Sequence, residues 1–390
     1  MDRQHLLSDQ DDPSASSAST QQYPVVAGAD AMGSSQPMDS GATAPPADLM
    51  DRVPGYEGMG SGGNDLPPPY PEPPQPEGPK PMSPNREWQI PSISEELAME
   101  ALLEYVSSKC CYSKKPVQEM IFSDLQSHNT FRYSLETFTE SRSTEWASVP
   151  YTGQVVDGHM GAAPGPWDIA VPVPAIFQDN TKQVQIPYTS SVKGCHSCLT
   201  LGRSPCRRCV TSGMMQCSMC NGVGRLSDSR CMSCNGAGRL RCTFCSGRGS
   251  TTCKTCKGKG QLLCFIKLTV KWKNNLFQFV VDKQSGLPVD HLSQVTGETL
   301  FSDMQPLVYP VVNFPDNAIN QVSEKAVRQH QAKFFSTCRI LQQRQTIELI
   351  PITRVHYTWK EKTHIYFVYG AEHRVYTNDY PAKCCCCNIL

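Results

Sequence analysis

Cys217-Ser-Met-Cys-Asn-Gly-Val-Gly224, Cys231-Met-Ser-Cys-Asn-Gly-Ala-Gly238, Cys242-Thr-Phe-Cys-Ser-Gly-Arg-Gly249 and Cys253-Lys-Thr-Cys-Lys-Gly-Lys-Gly260 are four copies of one pattern, C-x-x-C-x-G-x-G. Two earlier pairs, Cys195/Cys198 and Cys206/Cys209, keep the cysteines and the last glycine, Gly202 and Gly213, but not the first. Two thiolates with two residues between them reach one metal ion only if the backbone folds sharply around it, and glycine supplies positive φ without steric cost. One unit offers two ligands and a tetrahedral zinc needs four. The twelve cysteines of the six units therefore predict up to three zinc ions per chain.

The spacing indicates which units pair. Between successive units lie 7, 7, 10, 7 and 7 residues, a palindrome with its longest linker at the centre. A chain that runs out and back produces such a palindrome, so the third unit is expected to meet the fourth, the second the fifth and the first the sixth. Pairing of sequence neighbours satisfies the same ligand count. A disulfide framework would need an oxidising compartment, which the sequence does not suggest. The start, Met1-Asp2-Arg3-Gln4-His5-Leu6-Leu7-Ser8, lacks the apolar core of a secretory signal, and no apolar stretch approaches the ~20 residues of a membrane span. The chain reads as intracellular, cytoplasmic with a possible nuclear pool.

Outside the repeat, the pattern is that of strands. Before it, Val184, Ile186 and Tyr188 alternate with polar residues; after it, Leu262, Cys264, Ile266, Leu268, Val270 and Trp272 do the same. Lys273-Asn274-Asn275 then reads as a turn into a second run with Phe277, Phe279 and Val281. Phe131, Tyr133 and Leu135 mark an earlier strand, and Ile347, Leu349, Val355, Tyr357 and Trp359 are expected to keep one face and to lead through a turn at Lys360–Thr363 to Ile365, Phe367 and Tyr369. Two helices are expected. One follows a capping box at Ser92-Ile93-Ser94-Glu95 and carries Leu97, Ala101, Leu102, Tyr105 and Val106; the other carries Ile319, Val322, Ala326 and Phe334.

These readings give an α+β chain whose antiparallel, β-rich body receives an inserted, zinc-stapled β-hairpin arm. Of 390 residues, 31 are proline, and more than half of the prolines precede residue 92, in a stretch too poor in apolar residues to bury its backbone. The expected organisation is a disordered proline-rich leader over 1–88, the first part of the body over 89–192, the arm over 193–261, the second part of the body over 262–380 and a cysteine-rich tail over 381–390.

The run from Cys217 to Gly260 resembles the cysteine-rich zinc domain of DnaJ-type J-proteins, in which four such units bind two zincs in a nested hairpin. This chain departs from that pattern by its two extra units, and no His-Pro-Asp tripeptide occurs in it, so the J-domain is missing. Its arrangement of proline-rich leader, helix, six-unit arm and β-rich tail is similar to the ssu-two homologue family. The resemblance implies a chaperone-like capacity to bind unfolded or heat-shock proteins.

Two other functions compete with that one. The same C-x-x-C pairs are candidates for a thiol-disulfide oxidoreductase, although redox dithiols usually stand alone at a helix N-terminus. The arm is also basic, with twelve Lys or Arg and one acid, Asp228, between residues 193 and 263. Nucleic-acid binding would follow from that charge alone. Four thiolates on each zinc lower the loaded arm to about +5, however, and Phe244 is its one aromatic, which is poor material for stacking bases. Residues such as Arg207, Arg208, Lys254 and Lys257 are expected to neutralise and hydrogen-bond the thiolates. His196, inside the first pair, is expected to face solvent. The chain has equal numbers of basic and acidic residues, 36 each, and lacks the G-x-x-x-x-G-K-[ST], G-x-S-x-G and H-E-x-x-H motifs, so other enzyme classes find no support and no catalytic residue is assigned.

Two short motifs complete the reading. Pro67-Pro68-Pro69-Tyr70 matches P-P-x-Y, with Pro67, Pro68 and Tyr70 as the residues a WW domain would take. Cys387-Asn-Ile-Leu390 fits a prenylation box, and Cys384, Cys385 and Cys386 are candidates for acylation, giving a membrane-associated pool.

Overall fold

The computed structural model describes residues 50, 52–56, 64–69, 78, 93–283 and 285–383. In chain order, β1 (Asn64–Asp65) is followed by α1 (Glu95–Ser107), α2 (Lys115–Glu119), β2 (Ile121–Ser127) and the long β3 (Thr130–Pro150). β4 (Asn180–Gln185) and β5 (Ser191–Gly194) lead to the arm. Its strands are β6 (Arg203–Pro205), β7 (Met214–Gln216), β8 (Arg225–Leu226), β9 (Ser229–Arg230), β10 (Arg239–Arg241) and β11 (Ser250–Thr252). The chain returns through β12 (Gln261–Val280) to β13 (Glu298–Gln305), α3 (Asn317–Phe334), β14 (Arg339–Ile350), β15 (Ile352–Trp359), β16 (Lys362–Tyr369) and β17 (Arg374–Tyr376).

Two antiparallel sheets form the body. In the larger the order is β13-β14-β3-β12-β4, with β1 on β3 and β5 on β12; in the smaller it is β17-β16-β15-β2. The β15–β16 hairpin turns at Lys360 and Glu361, both at positive φ, 48° and 61°, as a type I′ turn requires. Helix α1 covers the smaller sheet, with Ala98, Leu102 and Val106 packed on Val355, Tyr357 and Tyr366. Its cap is Ser94, whose Oγ accepts from the Leu97 N–H at 3.3 Å, two residues later than the expected box at Ser92.

The larger sheet is covered on both faces, which corrects one expectation. Lys273-Asn274-Asn275 is no turn: β12 pairs with β3 without interruption from Leu262 to Val280. What changes there is the face that is buried. Ile266, Leu268, Val270 and Trp272 point at Ile169 and Val171 of the connection before β4, whereas Phe277 and Phe279 point the other way, at Ile319, Val322 and Ala326 of α3. The strand period of two is kept, and the cover changes side. Asn274 and Asn275 are held within the ladder, their Nδ2 atoms donating to Glu136 Oε1 at 2.9 Å and Thr137 O at 3.0 Å.

A second correction concerns the strand entering the arm. Val184 and Ile186 are buried as expected, but β4 ends at Gln185 and Tyr188 sits at φ 61°, so the residues that lead into the arm are those of β5. β5 pairs with the start of β12, Gly194 opposite Gln261 and Lys193 opposite Leu262. The arm thus leaves and re-enters through adjacent antiparallel strands, as an inserted hairpin must.

Two short pieces of the leader lie on the body. Tyr56 is buried beside Phe138 and Trp272, and its hydroxyl donates to Pro164 O at 2.5 Å. β1 pairs with β3, and the Trp167 Nε1 donates to Asp65 O at 3.2 Å.

Candidate metal centres

Along the arm, rungs of paired strand alternate with cysteine quartets. β6 pairs with β11, β7 with β10, and β8 with β9 at the tip. The equal linkers of the palindrome place each short strand opposite its partner, and the nested scheme follows: Cys195, Cys198, Cys253 and Cys256 meet at the base, Cys206, Cys209, Cys242 and Cys245 midway, and Cys217, Cys220, Cys231 and Cys234 at the tip. All twelve are buried, and within each quartet the sulfurs lie within 4.8 Å of one another. The two extra units take part as fully as the four regular ones. His196 belongs to no quartet and is half-buried.

The sulfur spacing has a chemical meaning. Four thiolates about 2.3 Å from a tetrahedral zinc stand about 3.8 Å apart. The cross-strand separations are 3.8 and 3.7 Å at the base, 3.9 and 3.6 Å midway and 3.9 and 3.7 Å at the tip. These are too long for a disulfide and match a shared ion of that size. Burial pushes the Cys198 thiol up to about 12 and the Cys209 thiol up to about 11, while the Cys220 backbone N–H draws Cys217 down to about 6. Thiols so buried and so close carry their charges together only around a cation, and the donor set therefore fits a thiolate-loving dication.

The glycine at the end of each unit has a specific task. Its N–H donates to the second cysteine's sulfur in all six units, at 3.2 Å from Gly202, Gly224, Gly238 and Gly260 and at 3.3 Å from Gly213 and Gly249. At Gly260, with φ 76°, a Cβ would lie 2.3 Å from Thr200 O of the facing unit, so no side chain fits. Backbone bonds tie the units in both directions, Cys195 N–H to Gly260 O at 2.8 Å and Cys253 N–H to Gly202 O at 2.9 Å.

The sequence reading missed what the arginines do. The thiolates are served by glycine N–H groups, whereas Arg230 Nε donates to Asn235 O at 2.7 Å and Arg241 Nε to Ser246 O at 2.9 Å, each bracing the turn of its own unit. Gln216 does the same to Asn221 O at 2.6 Å. The common signal was position: each stands immediately before the first cysteine of its unit. Arg208 instead stacks over Phe244, its guanidinium carbon 5.6 Å from the ring centroid.

Of the two motifs, Pro67 is half-buried and Pro68 exposed directly after β1; Tyr70 and Cys384, Cys385, Cys386 and Cys387 lie outside the described residues. No helix among the described residues is long and apolar enough to cross a membrane.

Comparison with known proteins returns relatives along nearly the whole chain. The "Protein SSUH2 homolog" of Danio rerio is 56% identical over 349 residues, covering 89% of this chain and 96% of its own length. The protein of the same name in Homo sapiens is 46% identical over 353 residues, covering 89% and 94%, and that in Mus musculus is 44% identical over 305 residues, covering 77% and 90%. No family model matches, so the likeness to the DnaJ-type domain rests on the residues themselves. No solved structure matches.

Proposed function

The chain belongs to the SSUH2 homologue family, and from that membership and the arm's geometry we propose that it is a chaperone-like factor that binds unfolded polypeptides on a zinc-stapled arm. The metal is zinc, one ion in each quartet. The observation that carries the polypeptide-binding reading is what the arm exposes. Of the 21 large apolar side chains exposed among the described residues, ten lie between Leu199 and Phe244. Val210, Val223 and Met232 are 81%, 76% and 84% exposed. Met219 and Phe244 are exposed on the same arm. The interior is filled by cysteine quartets, so these groups have nothing of their own to bury against. Methionines at such a surface repack against varied partners.

Backbone strain points the same way. Leu199 and Val210 sit at φ 51° and 46°, the left-handed position that Asn221, Asn235, Ser246 and Lys257 hold in the four regular units. A β-branched residue in that region costs on the order of 1–2 kcal/mol relative to a suitable one, and no burial offsets it. Val210 is the one β-branched residue among the six at that position, and its side chain is left exposed there, which supports the reading of the arm as a contact surface.

Other partners follow from the tails. Heat-shock chaperones are a second partner class, which the family resemblance implies. A WW-domain protein is a further proposed partner, through Pro67, Pro68 and Tyr70; the exposure of Pro68 beside the anchored β1 supports that reading. The protein would work in the cytoplasm and nucleus, with a lipid-attached fraction.

The test is dilution of a chemically denatured model enzyme into buffer with the full chain, zinc-loaded or chelated, followed by light scattering. Suppression of aggregation by the zinc-loaded protein, lost on chelation, is expected. Absence of any suppression or client binding with three zincs bound would defeat the reading. Disulfide reduction by the zinc-loaded chain would favour the oxidoreductase instead, and RNA affinity falling steeply with salt would favour nucleic acid.

A further inference from the structure

We infer that the arm selects among unfolded chains, and that the segment it takes carries apolar side chains flanked by carboxylates. The inference rests on the reading of the arm as a client-binding surface and names the class of client. The site is the line of turns that follow the second cysteine of each unit. Units one to three form an outgoing limb and units four to six a return limb, and nesting sets their turns against each other. A Cβ placed on Gly202 would strike Gly258 O, and one on Gly249 would strike Thr211 O, so the base and middle turns meet backbone to backbone. The two limbs carry different side chains there. At the first and third positions after the second cysteine the outgoing limb has Leu199, Leu201, Val210 and Val223, each at least 75% exposed, and no charged residue. The same positions of the last two return units hold Arg248, Lys257 and Lys259, all exposed. A row of apolar knobs therefore runs beside a row of cations, with Leu199 and Leu201 across from Lys257 and Lys259, and Val210 across from Arg248.

Both rows are available to a ligand. The second thiolate of each unit takes its hydrogen bond from a glycine N–H, and no ion pair among the described residues includes Arg248, Lys257 or Lys259. Asp228, at the tip, is the one acid between residues 193 and 263, and with −2 on each zinc-loaded quartet the arm still keeps about +5. The turns that carry the cations are fixed, the Arg248 and Lys259 N–H groups donating to Cys245 O at 3.0 Å and Cys256 O at 2.9 Å, so the metal sites hold the two rows at a set spacing. An uncharged apolar segment gains from the first row alone, whereas one whose apolar residues are flanked by Asp or Glu gains from both, and a basic one is repelled. A nucleic acid would meet the cations but leave the apolar row uncovered. The one aromatic of the arm that could stack on a base, Phe244, lies under the Arg208 guanidinium. The two rows together therefore fit an acidic, apolar polypeptide.

The experiment measures binding of dye-labelled synthetic peptides to the full zinc-loaded chain by fluorescence anisotropy. The peptides share their leucines and valines and differ in the residues between, which are Glu, Gln or Lys. The Glu peptide should bind roughly tenfold more tightly than the Gln peptide at low salt, on the order of twofold for each cation, with the difference lost at high salt and the Lys peptide weakest. R248Q/K257Q/K259Q should bring the Glu peptide to the affinity of the Gln peptide while leaving the zinc content and Gln-peptide binding unchanged; L199S/L201S/V210S should weaken both. Equal affinity for the Glu and Gln peptides in the parent chain overturns the proposal while client binding stands, and that comparison needs no variant. Equal loss of both peptides in R248Q/K257Q/K259Q with its zinc retained overturns it too. If no peptide binds, the proposal falls together with the client-binding reading. Single-stranded RNA that binds more tightly than the Glu peptide, and is released in R248Q/K257Q/K259Q, would assign the cations to nucleic acid and overturn it as well.

Discussion

Gly258→Ala and Gly260→Ala, two residues apart in one unit, should differ sharply although both glycines have positive φ, 87° and 76°. Both substitutions carry the cost of a left-handed alanine, about 1–2 kcal/mol. At Gly258 little else follows, since the new Cβ meets the Thr252 methyl at 3.2 Å and the nearest backbone atom, Gly202 O, at an ordinary 4.0 Å. At Gly260 it would lie 2.3 Å from Thr200 O, a backbone atom, where real Cβ contacts stay above 3.0 Å. The backbone must retreat by about 0.7 Å. That displacement breaks the Gly260 N–H bond to Cys256 Sγ, worth about 1.5–3 kcal/mol for a charged acceptor, and loosens the bond from Cys195 N–H, worth about 0.5–1.5 kcal/mol. Gly260→Ala should therefore cost roughly 3–6 kcal/mol at the base site, or about two to four decades in zinc affinity. Competition with a chromophoric chelator, read as zinc retained per chain, measures it. Gly258→Ala should keep three zincs and Gly260→Ala about two. Equal retention in the two variants would show that the cross-strand carbonyl does not set the glycine requirement.

Cys231→Ser should release the tip zinc and leave two, with the melting of the β-body unchanged by circular dichroism; loss of all cooperative unfolding would contradict the insertion of the arm between β5 and β12. Met219→Ser with Met232→Ser should keep three zincs yet weaken suppression of client aggregation severalfold, and full activity in that variant would remove the arm from client binding. Glu140→Ala should destabilise the body by about 3–5 kcal/mol in urea titration, because it leaves buried Arg142, whose Nε lies 2.6 Å from Glu140 Oε1, without its counter-charge. A change under about 1 kcal/mol there would mean that the Pro166 and Ile169 carbonyls, at 2.6 and 2.8 Å, suffice to hold Arg142.

The arm was legible because its information is local and repeated. A palindrome of gaps encodes an out-and-back path, and twelve cysteines in register leave few ways to share four-coordinate ions. The body was legible only in part: β2, β13 and β17 carried no clear alternation, and Ile347 and Leu349 lie on β14 of the larger sheet while Val355, Tyr357 and Trp359 lie on β15 of the smaller, so they do not share one face. Nor was it legible where cover changes side. Between Trp272 and Phe277 the buried positions pass from even to odd, and a one-residue phase change in a half-buried strand looks like a turn when nothing says that the sheet is covered on both faces. Glu140 and Arg142 gave no signal at all. Their burial depends on the connection between β3 and β4, which has no periodicity to read, and on Trp272 Nε1, which donates to Glu140 Oε2 at 3.1 Å across strands distant in sequence. Likewise Arg207, Arg208, Lys254 and Lys257 looked like partners for the thiolates, because a sequence does not show that glycine N–H groups reach one sulfur in every pair.

Nesting also explains how a long cysteine-rich insertion forms without mispairing. The tip quartet joins cysteines 14 residues apart, the middle 36 and the base 58. Closing 36 residues directly, rather than 14, costs only about 0.8 kcal/mol more by loop entropy, so affinity alone does not enforce an order. Geometry does. Once the tip is closed, β7 and β10 are already opposite one another, and their ladder brings Cys206 and Cys209 to Cys242 and Cys245; β6 and β11 then do the same for the base. Each rung presets the next quartet, and pairings of sequence neighbours are left without a ladder to support them. The same small entropic difference means that losing the tip costs the inner sites less than about 1 kcal/mol, so damage there stays local. Damage at the base, where the quartet packs against Leu262 and Cys264 of β12, instead disconnects an intact arm from the sheet that aims it.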